Sequence, residues 1–438
     1  MSKGARLAFV VRALRHRNYR LFFGGQSISL IGTWMTRIAT VWLVYRLSHS
    51  ALLLGVVGFA GQIPTFLLAP FAGVWVDRLN RHHVLVATQL LSMVQSLWLA
   101  ALALTGRITV LDIVWLSAFQ GLINAFDMPG RQAFVVEMVE DREDLANAIA
   151  LNSSMVNMAR LIGPSIAGVL IAATSEGYCF LLDGISYIAV LASLFAMRLA
   201  PRPPATKRVG MFEELRAGWI YVAGLLPIRA ILLLLALVSL MGMPYTVLMP
   251  IFAGKILHGG PGTFGFLMGA SGVGALTGAV ALAARRSVIG LGRVVAFSAA
   301  VFGASLVVFA ESRWLWLSLI LIYFVGYGMM QQMAASNTIL QTIVEEDKRG
   351  RLMSYYTMAF VGMAPFGSLL AGEVAARIGA PATLCISGVA CLLGAAWFAA
   401  RLPALREVVR PIYAQLGIIP ELASGLQAAS VLTTPPEE

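Results

Sequence analysis

The stretch Leu52–Leu104 reads LLLGVVGFAGQIPTFLLAPFAGVWVDRLNRHHVLVATQLLSMVQSLWLAALAL. Two long apolar runs flank the turn Asp77-Arg78-Leu79-Asn80-Arg81-His82-His83, which collects every charge of the stretch. A bilayer core about 30 Å thick needs about 20 mostly apolar residues per helix, and each run meets that length. Two membrane spans joined by a short basic turn are the simplest reading.

Outward from this pair the same pattern recurs. Helices are expected near 21–45, 52–75, 84–104, 110–126, 145–173 and 179–197, then near 228–251, 262–284, 294–310, 314–335, 352–376 and 380–400. The fold class is therefore an all-α polytopic membrane protein of twelve spans in two six-helix halves. The composition agrees. Of 438 residues, 59% are hydrophobic and 12% charged, against about 25% charged in soluble domains. A mean hydropathy of +0.81 excludes a water-soluble globule, a disordered chain, collagen and a coiled coil.

The net charge of +11 follows topology. With both termini cytoplasmic, 25 Lys and Arg fall on the inner side and 5 on the outer, while Arg37 and Arg160 lie within spans. That asymmetry satisfies the positive-inside rule and gives a multi-pass protein of the cell (inner) membrane, in contact with anionic membrane lipids. Nucleic-acid binding is not expected, because exposed basic and aromatic surface is lacking. The expected organisation is a basic N-terminus 1–20, a half 21–197, a Pro-rich cytoplasmic linker 198–227, a half 228–400 and a surface or disordered tail 401–438. Within the linker, Met211 to Leu225 has the makings of an interfacial helix with Trp219 and Tyr221 at headgroup level. No cleavable signal peptide is seen.

The halves repeat weakly. Gly73 matches Gly278, and Ala167-Gly168 matches Ala371-Gly372, at offsets of 205 and 204 residues. Parallel repeats of six spans are one transporter architecture, with the substrate site between them near the midplane.

Three motifs refine this. The turn from Gly73 through Asp77, Arg78, Asn80 and Arg81 has the residues of a cytoplasmic latch, in which a carboxylate meets a helix N-terminus and arginines pair across the halves. From charge alone, a basic turn with an incidental Asp is the simpler reading. The pattern resembles the loop 2–3 signature of the major facilitator superfamily, with Asn80 at a glycine position, where its tolerance of left-handed backbone would preserve the turn. The second motif, Gly163-Pro164 to Ala167-Gly168, allows close packing and a kink. It is similar to the superfamily's antiporter motif, which implies export. The third is the longest: Asp127, Pro129, Arg131-Gln132-Ala133, Asn147-Ala148, Asn157 and Arg349-Gly350-Arg351, with Gly32-Thr33-Trp34-Met35 near the start. Together these resemble the enterobactin-exporter-like branch of the drug:proton antiporters, over about residues 15 to 400. The fourth-span pattern departs from the family: Ser117 stands before Gln120-Gly121 where an arginine linked to proton transfer is usual.

Charges inside spans are the remaining signals. Arg160, midway along the fifth span, should face a partner or a water-filled cavity. It is a candidate contact for an anionic substrate, or equally a structural ion pair, with Asn157 near the same face. Arg37 is expected to snorkel outward. Asp183 is a candidate proton carrier, though a structural role is preferred for a peripheral sixth span. Glu373 is a weaker one. Met241 to Pro250 and Met329 to Met333 suggest adaptable walls. The cysteines 179, 385 and 391 read as buried hydrophobes.

No P-loop, His-Glu-x-x-His or Gly-x-Ser-x-Gly occurs, so no enzyme, cofactor or metal site is expected. The expected function is secondary active efflux, exporting small amphiphilic molecules such as a drug or siderophore in exchange for protons, by alternating access in a monomer. An uncoupled uniporter or lipid flippase is the alternative, and a membrane-embedded enzyme or scaffold a more distant one.

Overall fold

The computed structural model describes residues 11–139, 141–198, 221–222, 224–285, 287–345, 348–416 and 418; at 69, 70, 73, 74, 77, 78 and 142 only the backbone is described. The latch residues Gly73, Asp77 and Arg78 therefore enter only as backbone. Most of the expected linker, with Trp219, lies outside the described residues, as do 1–10 and the end of the tail.

Among the described residues, twelve helices or broken helices are long and apolar enough to cross a membrane. They are α1 Arg17–Ser48, α2 Ala51–Arg78, α3 Arg81–Leu104, α4 Val110–Met138, α5 Arg142–Ala173 and α6 Glu176–Phe195. The second half comprises α7 Leu226–Ile256, α8 Pro261–Ala283, α9 Leu291–Glu311, α10 Leu315–Ile343, α11 Arg349–Ile378 and α12 Ala380–Gln415. Large apolar side chains cover the outside, including Trp115, Phe195, Trp314, Trp316 and Leu393. Water would not tolerate that surface, and hydrocarbon would.

Local chemistry sets the helix ends. Ser50 accepts from Leu53 N at the start of α2, and Thr109 and Asp112 form a reciprocal capping box on α4. Asn80 has extended backbone (φ −70°) and caps α3 by accepting from His82 N and His83 N. It thus serves the turn as an N-cap rather than through the expected left-handed conformation. Two elements run longer than expected. Helix α4 passes its expected end at 126 and carries Asp127, Pro129 and Arg131 inside it. Helix α12 continues from the expected tail boundary to Gln415, through Pro403 and Pro411. The Met- and Pro-rich part of α7 is broken as its sequence suggests. Wide π turns occupy Val238–Gly242 and Phe252–Ile256, with an α-helical piece Tyr245–Ile251 between them. Helix α11 is interrupted between Phe360 and Ala364.

An even number of spans puts the start of α1 and the end of α12 on one face of the bundle, here the terminal face; the opposite one is the far face. The halves meet mainly through α5 on α8 and α2 on α11. Both crossings are glycine on glycine. A Cβ on Gly168 would come within 2.9 Å of the Gly265 Cα, and one on Gly55 within 2.9 Å of the Gly372 Cα. No side chain fits at either place, which is how small residues let helices cross closely in a membrane. Gly168 and Gly372 are repeat-related residues, so the same contact is made twice. Both crossings lie toward the far face. Beside them Trp42 of α1 stacks on Phe264 of α8 at 6.0 Å, and Tyr45 packs on Gly254. On the terminal side the Arg349–Phe360 piece of α11 packs chiefly on its own half, against α7 and α10.

The N-terminal segment is strapped to α5. The buried carboxylate of Asp144 meets Arg12 Nε at 3.1 Å, Arg15 Nε at 2.8 Å and His16 Nε2 at 2.9 Å, and Tyr19 donates to Ala148 O at 2.8 Å.

Candidate functional site

Trp34 of α1 organises the polar centre between the halves. The Arg37 guanidinium lies 5.0 Å from its ring centroid and that of Arg160 of α5 lies 5.8 Å away. Gly163 allows this approach, since a Cβ there would strike the Trp34 Cβ at 2.6 Å. Arg160 reaches the other half through Nη2, which points at Met329 Sδ of α10 at 3.9 Å. No carboxylate pairs with Arg37 or Arg160 among the described residues. Arg37 is solvent-accessible and Arg160 half-buried. Arg37 thus turns back over an indole face instead of snorkelling outward, because the ring offers a cation–π contact.

Asp183 of α6 lies behind α1. Its carboxyl is 1% exposed. Oδ2 accepts from Thr36 Oγ1 at 2.9 Å and from Ser96 Oγ of α3 at 2.7 Å. Oδ1 has no partner and is pressed against Gly32, whose Cβ would stand 2.7 Å away. Thr33, on the accessible side of α1, stands 3.5 Å from Tyr187 Oη. Tyr187 lies beside Ser92, which accepts from Gln120 Nε2 at 3.2 Å; Gln120 also donates to Asn124 at 3.2 Å. A line of uncharged polar groups therefore joins α1, α6, α3 and α4.

The other sequence candidates are distributed differently. Asp127 is buried, accepts from Thr88 at 3.0 Å and Gln89 at 2.7 Å, and pairs with Arg131 on its own helix. Arg81 bonds within its own half, to Glu137 at 3.0 Å and Ala133 O at 3.2 Å. Asn157 donates to Ser153 O of its own helix at 2.9 Å and does not meet Arg160. Gly163, Pro164, Ala167 and Gly168 form the packing seam of α5 on α1 and α8. Glu373 pairs with Arg377 at the surface. Sequence reading passed over the role of Trp34 and over the hydroxyls of Ser92 and Ser96. The signal was present as Thr88, Ser92 and Ser96, four residues apart on one buried face of an apolar helix.

Comparison with known proteins bears on the fold and the family. The chain is 28% identical over 380 residues to the staphyloferrin A transporter of Staphylococcus aureus, covering 85% of this chain and 93% of that one. It is 27% identical over 394 residues to the multidrug efflux pump Tap of Mycolicibacterium fortuitum, covering 86% and 93%. Among solved structures, a bacterial homolog of the human lysosomal transporter Spinster, inward-facing and unoccupied, superposes with a TM-score of 0.71 at 13% identity, covering 90% of this chain and 98% of that one. Twelve spans, a glycine seam and relatives of this kind describe a multi-pass cell-membrane transporter of small molecules rather than an enzyme. The sequence profile of the transmembrane secretion effectors matches residues 10–414, and the chain belongs to that family of the major facilitator superfamily.

Proposed function

We propose that this chain exports small amphiphilic molecules bearing anionic groups, in exchange for protons, by alternating access. The observation that carries the substrate class is the pair Arg37 and Arg160 about one indole ring with no acid beside them. Such a site offers fixed positive charge and a flat apolar face, which suits a carboxylate-rich chelator better than a cationic drug. The similarity to a staphyloferrin A transporter supports that preference.

The 25-to-5 distribution of Lys and Arg supports cytoplasmic termini. With that orientation the glycine seam closes the outer end and the site opens inward, ready to load from the cytoplasm as a monomer. Basic residues of the terminal face then contact anionic lipid. Gly73, Asp77, Arg78 and Arg81 are the proposed latch on that side, and the Gly163-Pro164 pattern supports export as the direction. Uncoupled uniport or lipid flipping is the second reading, favoured by Ser117 in place of the usual arginine.

Collapse of an imposed pH gradient in proteoliposomes tests both readings, with staphyloferrin A and a macrolide as probes. Coupled export predicts proton release through wild type, little through Arg160→Ala and impaired turnover in Asp77→Asn. Passage of a labelled probe without proton movement would replace the antiporter with a uniporter.

A further inference from the structure

Asp183 is buried, holds one oxygen against two hydroxyls, and leaves the other without any partner. Isolating a carboxylate from water without a cation is costly, and a protonated carboxyl would carry no charge there. The groups around it leave that charge unanswered. From α1 it meets Gly32, Thr33 and Thr36. From α3 it meets Ser96, with Gln95 behind. Along α6, Cys179 lies one turn before it and Tyr187 one turn after; Glu176, two turns away, is held by Arg46 at 2.8 Å. The nearest cation in sequence on α1 is Arg37, whose guanidinium is over Trp34. On α5 the cation within the span is Arg160, on the same ring; Arg142 stands at the start of the helix. On α4, Asp127 is taken up by Thr88, Gln89 and Arg131.

We propose that Asp183 is the protein's proton-exchange site, and that the hydroxyls of Thr33, exposed, and Thr36, half-buried, connect it to water on the accessible side of α1. A hydronium there gives a proton to the Thr33 hydroxyl, which turns from Ser29 O and passes its own proton to Asp183 Oδ1, leaving water; release reverses the step. Thr33, Trp34, Thr36 and Arg37 lie on one stretch of α1. Loading or unloading the carboxyl beneath Gly32 therefore changes the hydrogen bond to Thr36, the residue next to Arg37. That is a short mechanical link between the proton and the substrate arginines, and it dispenses with the fourth-span arginine that Ser117 replaces. The inference deepens the antiport reading and rests on it for its role in transport, but not for the chemistry of the site.

Infrared titration of the reconstituted full-length protein tests it. The carbonyl stretch of a protonated carboxylic acid should appear and disappear with pH in wild type and be missing from Asp183→Asn. In proteoliposomes, Asp183→Asn should lose the response of staphyloferrin A movement to a pH gradient and keep exchange of labelled for unlabelled probe. Thr33→Val should keep the band and slow proton exchange. A wild-type band that ignores pH, a band that survives in Asp183→Asn, or a coupled Asp183→Asn overturns the assignment. If wild type moves the probe without regard to pH while the Asp183 band still titrates, the antiport reading falls and the proton site stands.

Discussion

An arginine at the centre of a membrane span costs about 2.5–3.5 kcal/mol on insertion scales, and here two share one tryptophan. Cation–π contacts return about 0.5–2 kcal/mol each, so the pair stays under-compensated until an anion arrives. Arg160→Ala is expected to weaken binding of an anionic probe by about 10- to 150-fold, the equivalent of ~1.5–3 kcal/mol for a lost charge-assisted hydrogen bond. Quenching of tryptophan fluorescence measures it, and an unchanged affinity would remove Arg160 from the site. Arg160→Lys should recover only part of the loss, because an ammonium lacks the planar fork. Arg160 and Asp183 were legible in the sequence because a charge inside an apolar run stands out. The hydroxyls of Thr33, Thr36 and Ser96 were not. Serine and threonine commonly bond back to their own helix in spans, as Thr33 does to Ser29 O at 3.1 Å, and only the packing of α6 against α1 and α3 brings Thr36 and Ser96 to its carboxyl. Arg37 was misread for a related reason: its direction depends on the Trp34 ring beside it, which spacing alone does not show.

Helices in this fold were readable to within a few residues where apolar runs end in turns with capping residues. They were less readable where polarity rises inside a helix. Asp127 and Arg131 look like loop residues, yet they pair with each other one turn apart and with α3, and so remain helical. At the seam, Gly168 and Gly372 matter as absent side chains. Gly372→Val should hold α2 and α11 apart and shift the population toward opening at the far face. Spin labels on His49 and Arg377, which flank that crossing, should report a longer distance than in the otherwise unaltered protein. An unchanged distribution would mean the seam tolerates a side chain. The strap at the start of α5 gives another test. Asp144→Ala removes the acceptor shared by Arg12, Arg15 and His16. The N-terminus should then be cut more readily by a protease, with a lower melting temperature; unaltered protection would show that the bonds of Tyr19 to Ala148 O and of Ala13 N to Asn147 Oδ1 suffice.

At the scale of the whole molecule, the first six spans meet the last six at two glycine-on-glycine crossings. Because both must part for the far face to open, Gly168→Val and Gly372→Val should have similar effects, and the double variant little more than either alone. Additive shifts would show that the crossings open independently. The repeat was faintly legible in the sequence at Ala167-Gly168 and Ala371-Gly372, but Gly55 and Gly265 acquire meaning only as their opposite numbers in space. Topology is tested at this scale too. A fluorescent protein fused after Gln415 should glow, and alkaline phosphatase at Gly379 should be active; the reverse pattern would invert the orientation argued from charge.

The two uncompensated guanidiniums have an electrical consequence. The membrane potential acts on a fixed charge that crosses it with about 2.3 kcal/mol per elementary charge per 100 mV. A carrier without substrate and with Asp183 protonated moves both positive charges through whatever fraction of the field its rearrangement spans, whereas a carrier loaded with a dianion and with Asp183 ionised moves a single net negative charge. Voltage should therefore bear on the return of the substrate-free protein more than on the loaded step. The resting potential of the cell would then set how fast the exporter resets.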